Sequence, residues 1–281
     1  MKNTDYLVSV AAGQTLEVWS VTAEMLLRSV PASNYEVIVP ANDVKSFREI
    51  TPSDITVSSE SDFVKDFSAP LRDRLGQHHQ RFGWYLQQLI KLEAVKRHSH
   101  LHKLVIWDAD TVPLGPLTLF SSEGKPLFYR GKENHTPYFD SIRALFGLDK
   151  VVVFSFVAQC MPLAGDWAAQ FFTDLEERHH APWWQAIIDS IDPNEASGFS
   201  EYETLGTFFN DRFGPLQLQP TGVWSRRGYH YVPSALDLLT PTTMSQLPEQ
   251  FDFLAFEDWN RPKEKKSKKR ERGLRTRFRL S

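Results

Sequence analysis

Leu104-Val105-Ile106-Trp107-Asp108-Ala109-Asp110-Thr111-Val112-Pro113-Leu114 is the stretch that decides how this chain is read. Four apolar residues ending in a tryptophan make a strand buried on both faces. Two carboxylates follow at its carboxyl end, where the chain turns toward Pro113. Residues i and i+2 of an extended chain point the same way, so Asp108 and Asp110 are expected side by side. Such a pair repels unless a cation joins it. Hard oxygen donors suit Mn²⁺ or Mg²⁺, which would also take phosphate oxygens and water. The plain alternative is a pair of turn-forming or capping aspartates.

Working outward, Arg81–His98 has the strongest helical pattern, with Phe82, Tyr85, Leu86, Leu89, Leu92 and Val95 at three-to-four spacing. Upstream, strands are expected at Tyr6–Ala12, Tyr35–Val39 and Ile55–Ser58, with helices at Thr15–Val30 and Asp43–Ile50. Downstream, Pro126–Tyr129, Val151–Phe156, Gln217–Gln219 and Tyr229–Val232 read as strands. Tyr138–Phe146, Asp166–Glu177, Trp183–Ile191 and Glu201–Phe213 read as helices, the last capped by Ser200. This alternation predicts an α/β fold, an open sheet with helices on both faces. Ligands of such sheets bind beyond the carboxyl ends of the strands, where Asp108 and Asp110 lie.

Composition bounds the reading. With 281 residues and 41% hydrophobic content the chain can bury a large core. The lone Cys160 permits no internal disulfide and reads as a small buried hydrophobe. No signal peptide and no membrane-spanning run are read, so a soluble cytoplasmic protein is expected. Residues 261–281 hold eleven of the 32 Lys and Arg but two of the 35 Asp and Glu. A basic tail is therefore set against an acidic body at 1–260, which is taken as a single domain. The tail is either a solvated extension or a contact with an anionic surface, lipid or nucleic acid.

Other residues carry candidate chemistry. Gln88 and Lys91 share a face of the helix before the Asp108 strand, and the lysine could reach a diphosphate or a sugar. Phe199-Ser200-Glu201-Tyr202-Glu203 places carboxylates and a tyrosine at a helix start, where acids also simply complement the helix dipole. His135 and Tyr138 stand in or beside a polar loop, and Gln159 follows an apolar run. In Trp224–His230, arginines match diphosphate geometry. The adjacent histidines 78–79 and 179–180 lack zinc-like spacing. No P-loop, Rossmann, G-x-S-x-G or H-E-x-x-H signature occurs.

Three segments occur in order: Gly83-Trp84-Tyr85-Leu86-Gln87-Gln88-Leu89-Ile90-Lys91-Leu92, then Trp107–Leu114, then Phe199–Glu203. Together they resemble a family of bacterial glycosyltransferase-like proteins catalogued as a domain of unknown function, over roughly residues 5–235. The resemblance implies a GT-A-like nucleotide-diphospho-sugar transferase fold with a mostly parallel central sheet flanked by helices. It implies a nucleotide-sugar donor bound in a half spanning about 1–115, through Ser9, Val10, Ala11, Gln88, Lys91, Asp108, Ala109 and Asp110. The divalent metal would rest on Asp108 and Asp110. His230 is the guess for a third ligand, because a late histidine completes the shell in some GT-A enzymes. The acceptor, a saccharide or lipid-linked saccharide in cell-surface polysaccharide synthesis, would meet His135, Tyr138, Gln159, Glu201 and Tyr202 in a half spanning about 116–260. Glu201 and Asp110 are the expected catalytic residues, Glu201 because the family repeats Ser-Glu-Tyr at this place. The basic tail would then touch the inner membrane face, with no nucleic acid expected. The rivals are a metal-dependent phosphohydrolase and a non-catalytic protein that binds through its tail.

Overall fold

The computed structural model describes residues 3–257 and residue 261. The expected basic tail therefore lies, Arg261 apart, outside the described residues. In chain order the elements are β1 (Thr4–Val10), α1 (Leu16–Ser29), β2 (Ala32–Val39), α2 (Val44–Ile50), β3 (Ile55–Ser59), α3 (Ser68–Leu75), α4 (Phe82–His98), β4 (Lys103–Trp107) and β5 (Thr111–Pro113). There follow β6 (Leu127–Phe128), α5 (Thr136–Phe146), β7 (Cys160–Ala164), α6 (Gly165–His179), α7 (Trp183–Ser190), α8 (Glu201–Phe213), β8 (Gln217–Leu218), β9 (Trp224–Ser225), α9 (Pro241–Gln246) and β10 (Phe253–Ala255).

The central sheet runs β3-β2-β1-β4-β7. Strands β3, β2, β1 and β4 are parallel, whereas β7 is antiparallel to β4. The sheet is thus mixed, and β7, from a segment not read as a strand, closes one edge. Alternate side chains feed two cores, as a two-residue period requires. Tyr6, Val8, Leu104 and Ile106 pack with residues of α3, α4, α6, α7 and α8. Leu7, Val105 and Trp107 face the other way, toward Trp19 and Leu26 of α1 and Phe47 of α2. Helices therefore flank both faces, as the alternation of the sequence indicates.

The chain leaves β1 to add β2 and β3 on one side, then crosses back to add β4 on the other. That reversal opens a crevice beyond the carboxyl ends of β1 and β4. Because β7 runs the opposite way, the residues just before it are delivered to the same crevice. The amide of Asp108 donates to the Gln159 carbonyl at 2.9 Å, continuing the β4–β7 ladder by one bond.

Two expected strands are absent. Val151–Phe156 is irregular, with Val151 and Val153 exposed, because its polar anchors go to a helix rather than to a sheet edge. Tyr229–Val232 gives way to a short 3-10 turn at Gly228–His230. Among the described residues no helix is long and apolar enough to cross a membrane.

Candidate functional site

A cleft of about 510 Å³ opens at the crevice. Its centre is the turn after β4. Trp107 is fully buried, and its indole N–H donates to the Thr111 carbonyl at 2.7 Å while the Thr111 amide donates to the Asp108 carbonyl at 3.0 Å. Asp108 and Asp110 therefore sit in a closed turn, not on extended chain, and both still line the cleft. Strand β10 locks this turn from outside. It pairs antiparallel with β5, and the Phe256 amide donates to the Asp110 carbonyl at 2.8 Å.

Helix α4 supplies the cation. Lys91 is buried, and its Nζ donates to Asp108 Oδ1 at 2.5 Å and to Glu201 Oε1 at 2.8 Å. Burial alone would lower its pKa, but the two carboxylates override that and raise it, so Lys91 stays an ammonium. Tyr202 donates its hydroxyl to the same Asp108 oxygen at 2.7 Å, and its ring lies 4.8 Å from the lysine nitrogen. Gln88, one turn before, accepts from the Glu201 amide at 3.0 Å, which joins α4 to the first turn of α8. That turn is N-capped by Ser200, whose hydroxyl accepts from the Glu203 amide at 3.3 Å.

The site carries excess negative charge. Asp108, Asp110 and Glu201 converge on Lys91, and Glu257 lies near enough to act on Asp110. Asp110 is pushed up to about 7, first by burial and then by Asp108 and Glu257, with Lys91 opposing. Burial also raises Glu201, against the pull of Lys91. The Asp110 carboxylate accepts a 3.5 Å contact from the Thr111 hydroxyl and is helped by its own backbone amide. No cluster of three or more His, Cys, Asp or Glu placed to hold a metal occurs among the described residues.

The structure brings most of the expected residues together. Val10, Gln88, Lys91, Asp108, Ala109, Asp110, Tyr138, Gln159, Glu201 and Tyr202 all line the cleft. Ser9 and Ala11 are buried beside Val10 without reaching it. His135 stands behind the wall, its Nε2 2.8 Å from the Ser197 carbonyl and its ring edge-on to Tyr138. His230 is exposed and outside the cleft, so it does not join the aspartates. Gln159 sits at a left-handed φ of 65°, a costly conformation for a residue with a side chain. Its side-chain Nε2 donates to Glu257 Oε1 at 3.3 Å.

Sequence reasoning missed Arg81, Trp84, Glu133 and Glu257. Glu257 arrives through β10, whose Phe253–Phe256 apolar run between acids was the available signal. Arg226 lies 3.2 Å from Glu133 and 3.6 Å from Glu257, so it bridges two acids of the cleft rim. Glu203, part of the Ser-Glu-Tyr-Glu run, faces away from this chemistry. It accepts from the Ser155 hydroxyl at 2.6 Å and the Phe156 amide at 3.1 Å, and it pairs with Lys150.

Residues 26–217, more than half of the chain, match a family of unknown function, DUF6492. The chain belongs to the DUF6492 family. The matched span runs from α1 into β8 and so contains Lys91, Asp108, Asp110, Glu201 and Tyr202. Val10, Arg226 and Glu257, which also line the cleft, fall outside it. Comparison with curated proteins finds no match.

Proposed function

We propose that this member of DUF6492 transfers a sugar from a nucleoside diphosphate donor to a saccharide acceptor, using a divalent cation held by Asp108 and Asp110. The reading rests on one observation: a cleft at the strand-order reversal that gathers Asp108, Asp110 and Glu201 around the single ammonium of Lys91. Such an acid-rich centre suits a divalent cation, and Mn²⁺ or Mg²⁺ would draw the rest of its shell from donor phosphates and water. The donor set fits. Asp110 has a nearly unengaged carboxylate, and Asp108 keeps Oδ2 available while Lys91 and Tyr202 fix Oδ1. When bound, the cation would offset the charge that grows on the departing diphosphate.

The chain's own groups then have distinct tasks. Lys91 holds Asp108 and Glu201 in register and adds positive charge beside the leaving phosphate. Glu201, raised by burial, would accept the proton of the incoming acceptor hydroxyl. Val10, the turn before α1 (Gln14, Thr15) and Val18 of α1 form the part of the cleft suited to the nucleoside. Tyr138 and Gln159 face the acceptor.

The test is a thermal-shift series with UDP, GDP, CMP and their sugars, each with Mn²⁺, Mg²⁺ or chelator, followed by a hydrolysis assay on whichever sugar nucleotide binds. Metal-dependent stabilisation by one nucleotide, lost in Asp110→Asn, is expected. Failure of every nucleotide with metal, or turnover of phosphodiesters instead, would refute the reading and favour a phosphohydrolase.

A further inference from the structure

Resting on the glycosyl-transfer reading, we infer that Trp84 forms the wall of a second sugar subsite, so that the acceptor is a saccharide of at least two rings. The observation is a stripe along α4. Trp84, Gln87, Gln88 and Lys91 all line the cleft, and their three-, four- and seven-residue spacings put them on one helix face. Lys91 touches Asp108 and Glu201 and so marks the reacting end. Trp84 lies seven residues earlier, about 10 Å along the helix axis. The cleft therefore offers an aromatic surface one sugar position beyond the ring that receives the transferred unit.

The ring of Trp84 is held, not loose. The Arg81 guanidinium lies 4.2 Å from its centroid, Tyr85 meets it edge-on at 4.8 Å, and Tyr138 lies nearly parallel at 6.5 Å. Arg81 is itself fixed by the Ala196 carbonyl at 3.2 Å and the Ser197 hydroxyl at 3.0 Å. The Arg81 guanidinium takes one face of the indole, so the C–H groups of a sugar would meet the part of the ring that borders the cleft, drawn by its partial negative charge as the edge of another aromatic is. Gln87, Ser197 and Glu133, also in the cleft wall, can bond the hydroxyls around that ring. Arg81 and Arg226 are already engaged with protein partners, and the ligand class that fits is a neutral, hydroxyl-rich ring.

A nucleobase could also stack on a tryptophan, but the donor reading puts it at Gln14, Thr15 and Val18, in the turn before α1 and its first turn. Helix α1 packs on the opposite sheet face from α4.

The test uses the full chain with Mn²⁺ and the nucleotide that stabilises it. Binding of glucose, galactose and N-acetylglucosamine is compared by NMR saturation transfer and titration with binding of maltose, cellobiose, lactose and chitobiose. The wild type, Trp84→Ala and Trp84→Phe are used, each checked for folding by its melting curve. At least one disaccharide should bind more tightly than its monosaccharide. That binding should weaken about tenfold in Trp84→Ala and largely return in Trp84→Phe, with metal–nucleotide binding retained in both. Equal binding of mono- and disaccharides, or no saccharide binding beside intact nucleotide binding, overturns the inference and leaves the donor reading standing. Loss of nucleotide binding in Trp84→Ala overturns it in favour of a base platform. Absence of nucleotide binding in the wild type removes the parent reading instead.

Discussion

Replacing Asp110 with asparagine should make the metal-free protein more stable at alkaline pH while destroying its ligand site. In the folded chain Asp110 binds its proton up to about pH 7, against an ordinary value of 3.8. The folded state thus holds more protons than the unfolded state between those values, and stability falls as pH rises through that window. The penalty is absent below about pH 4 and complete above about pH 7. A shift of that size corresponds to about 4 kcal/mol, an upper bound because Asp110 is only partly buried and solvent screens it. Of this, about 2 to 3 kcal/mol accrues between pH 5 and pH 8. Asparagine keeps the shape and never ionises. In chelator, Asp110→Asn should therefore melt a few °C above wild type at pH 5, and the gap should widen by roughly a further 5 °C at pH 8. Saturating Mn²⁺ with nucleotide should reverse the order at pH 8, because only the wild type gains. Parallel pH profiles for the two proteins in chelator would refute the idea that Asp110 is a destabilising charge kept for a ligand.

Lys91→Met leaves Asp108 and Glu201 buried without their shared ammonium and should cost about 3 to 5 kcal/mol in urea denaturation at pH 8; a loss under 1 kcal/mol would contradict the pairing. Glu203→Gln removes the charge that anchors Lys150, Ser155 and Phe156 and should raise amide exchange across residues 150–157. Unchanged exchange there would show that the segment is held by other means. Gly206→Ala should destabilise despite the better helix propensity of alanine, because a Cβ at Gly206 would stand 2.1 Å from Phe156 Cγ. An increase in melting temperature would mean that α8 and Phe156 separate freely.

The parts of the fold visible in the sequence are those set by local pattern. The apolar run of β4, the helical spacing of α4 and the Ser200 cap of α8 each declare themselves within a few residues. The candidate site was legible in part: Asp108 and Asp110 follow β4, Glu201 opens α8, and Lys91 lies midway along α4 on its patterned face. What was hidden depends on pairing between distant segments. Strand β7 is assigned by its antiparallel partner β4 and contains a proline, so nothing local marks it. Glu257 enters only because β10 pairs with β5. The converse error came from Val151–Val153, three β-formers in a row of which Val151 and Val153 are exposed while Val152 packs partly on the core, with no neighbouring strand to pair with.

The pairing of β5 with β10 also sets an order of events in the life of the molecule. Both aspartates, Lys91 and Glu201 have been synthesised long before Phe253–Glu257 leaves the ribosome. Until that segment docks, the Asp110 carbonyl lacks its Phe256 partner and the cleft lacks Glu257, one of the two acids that Arg226 bridges. A chain ending after α8 thus holds the residues of the charged centre but neither Arg226 nor the β10 segment that completes the cleft.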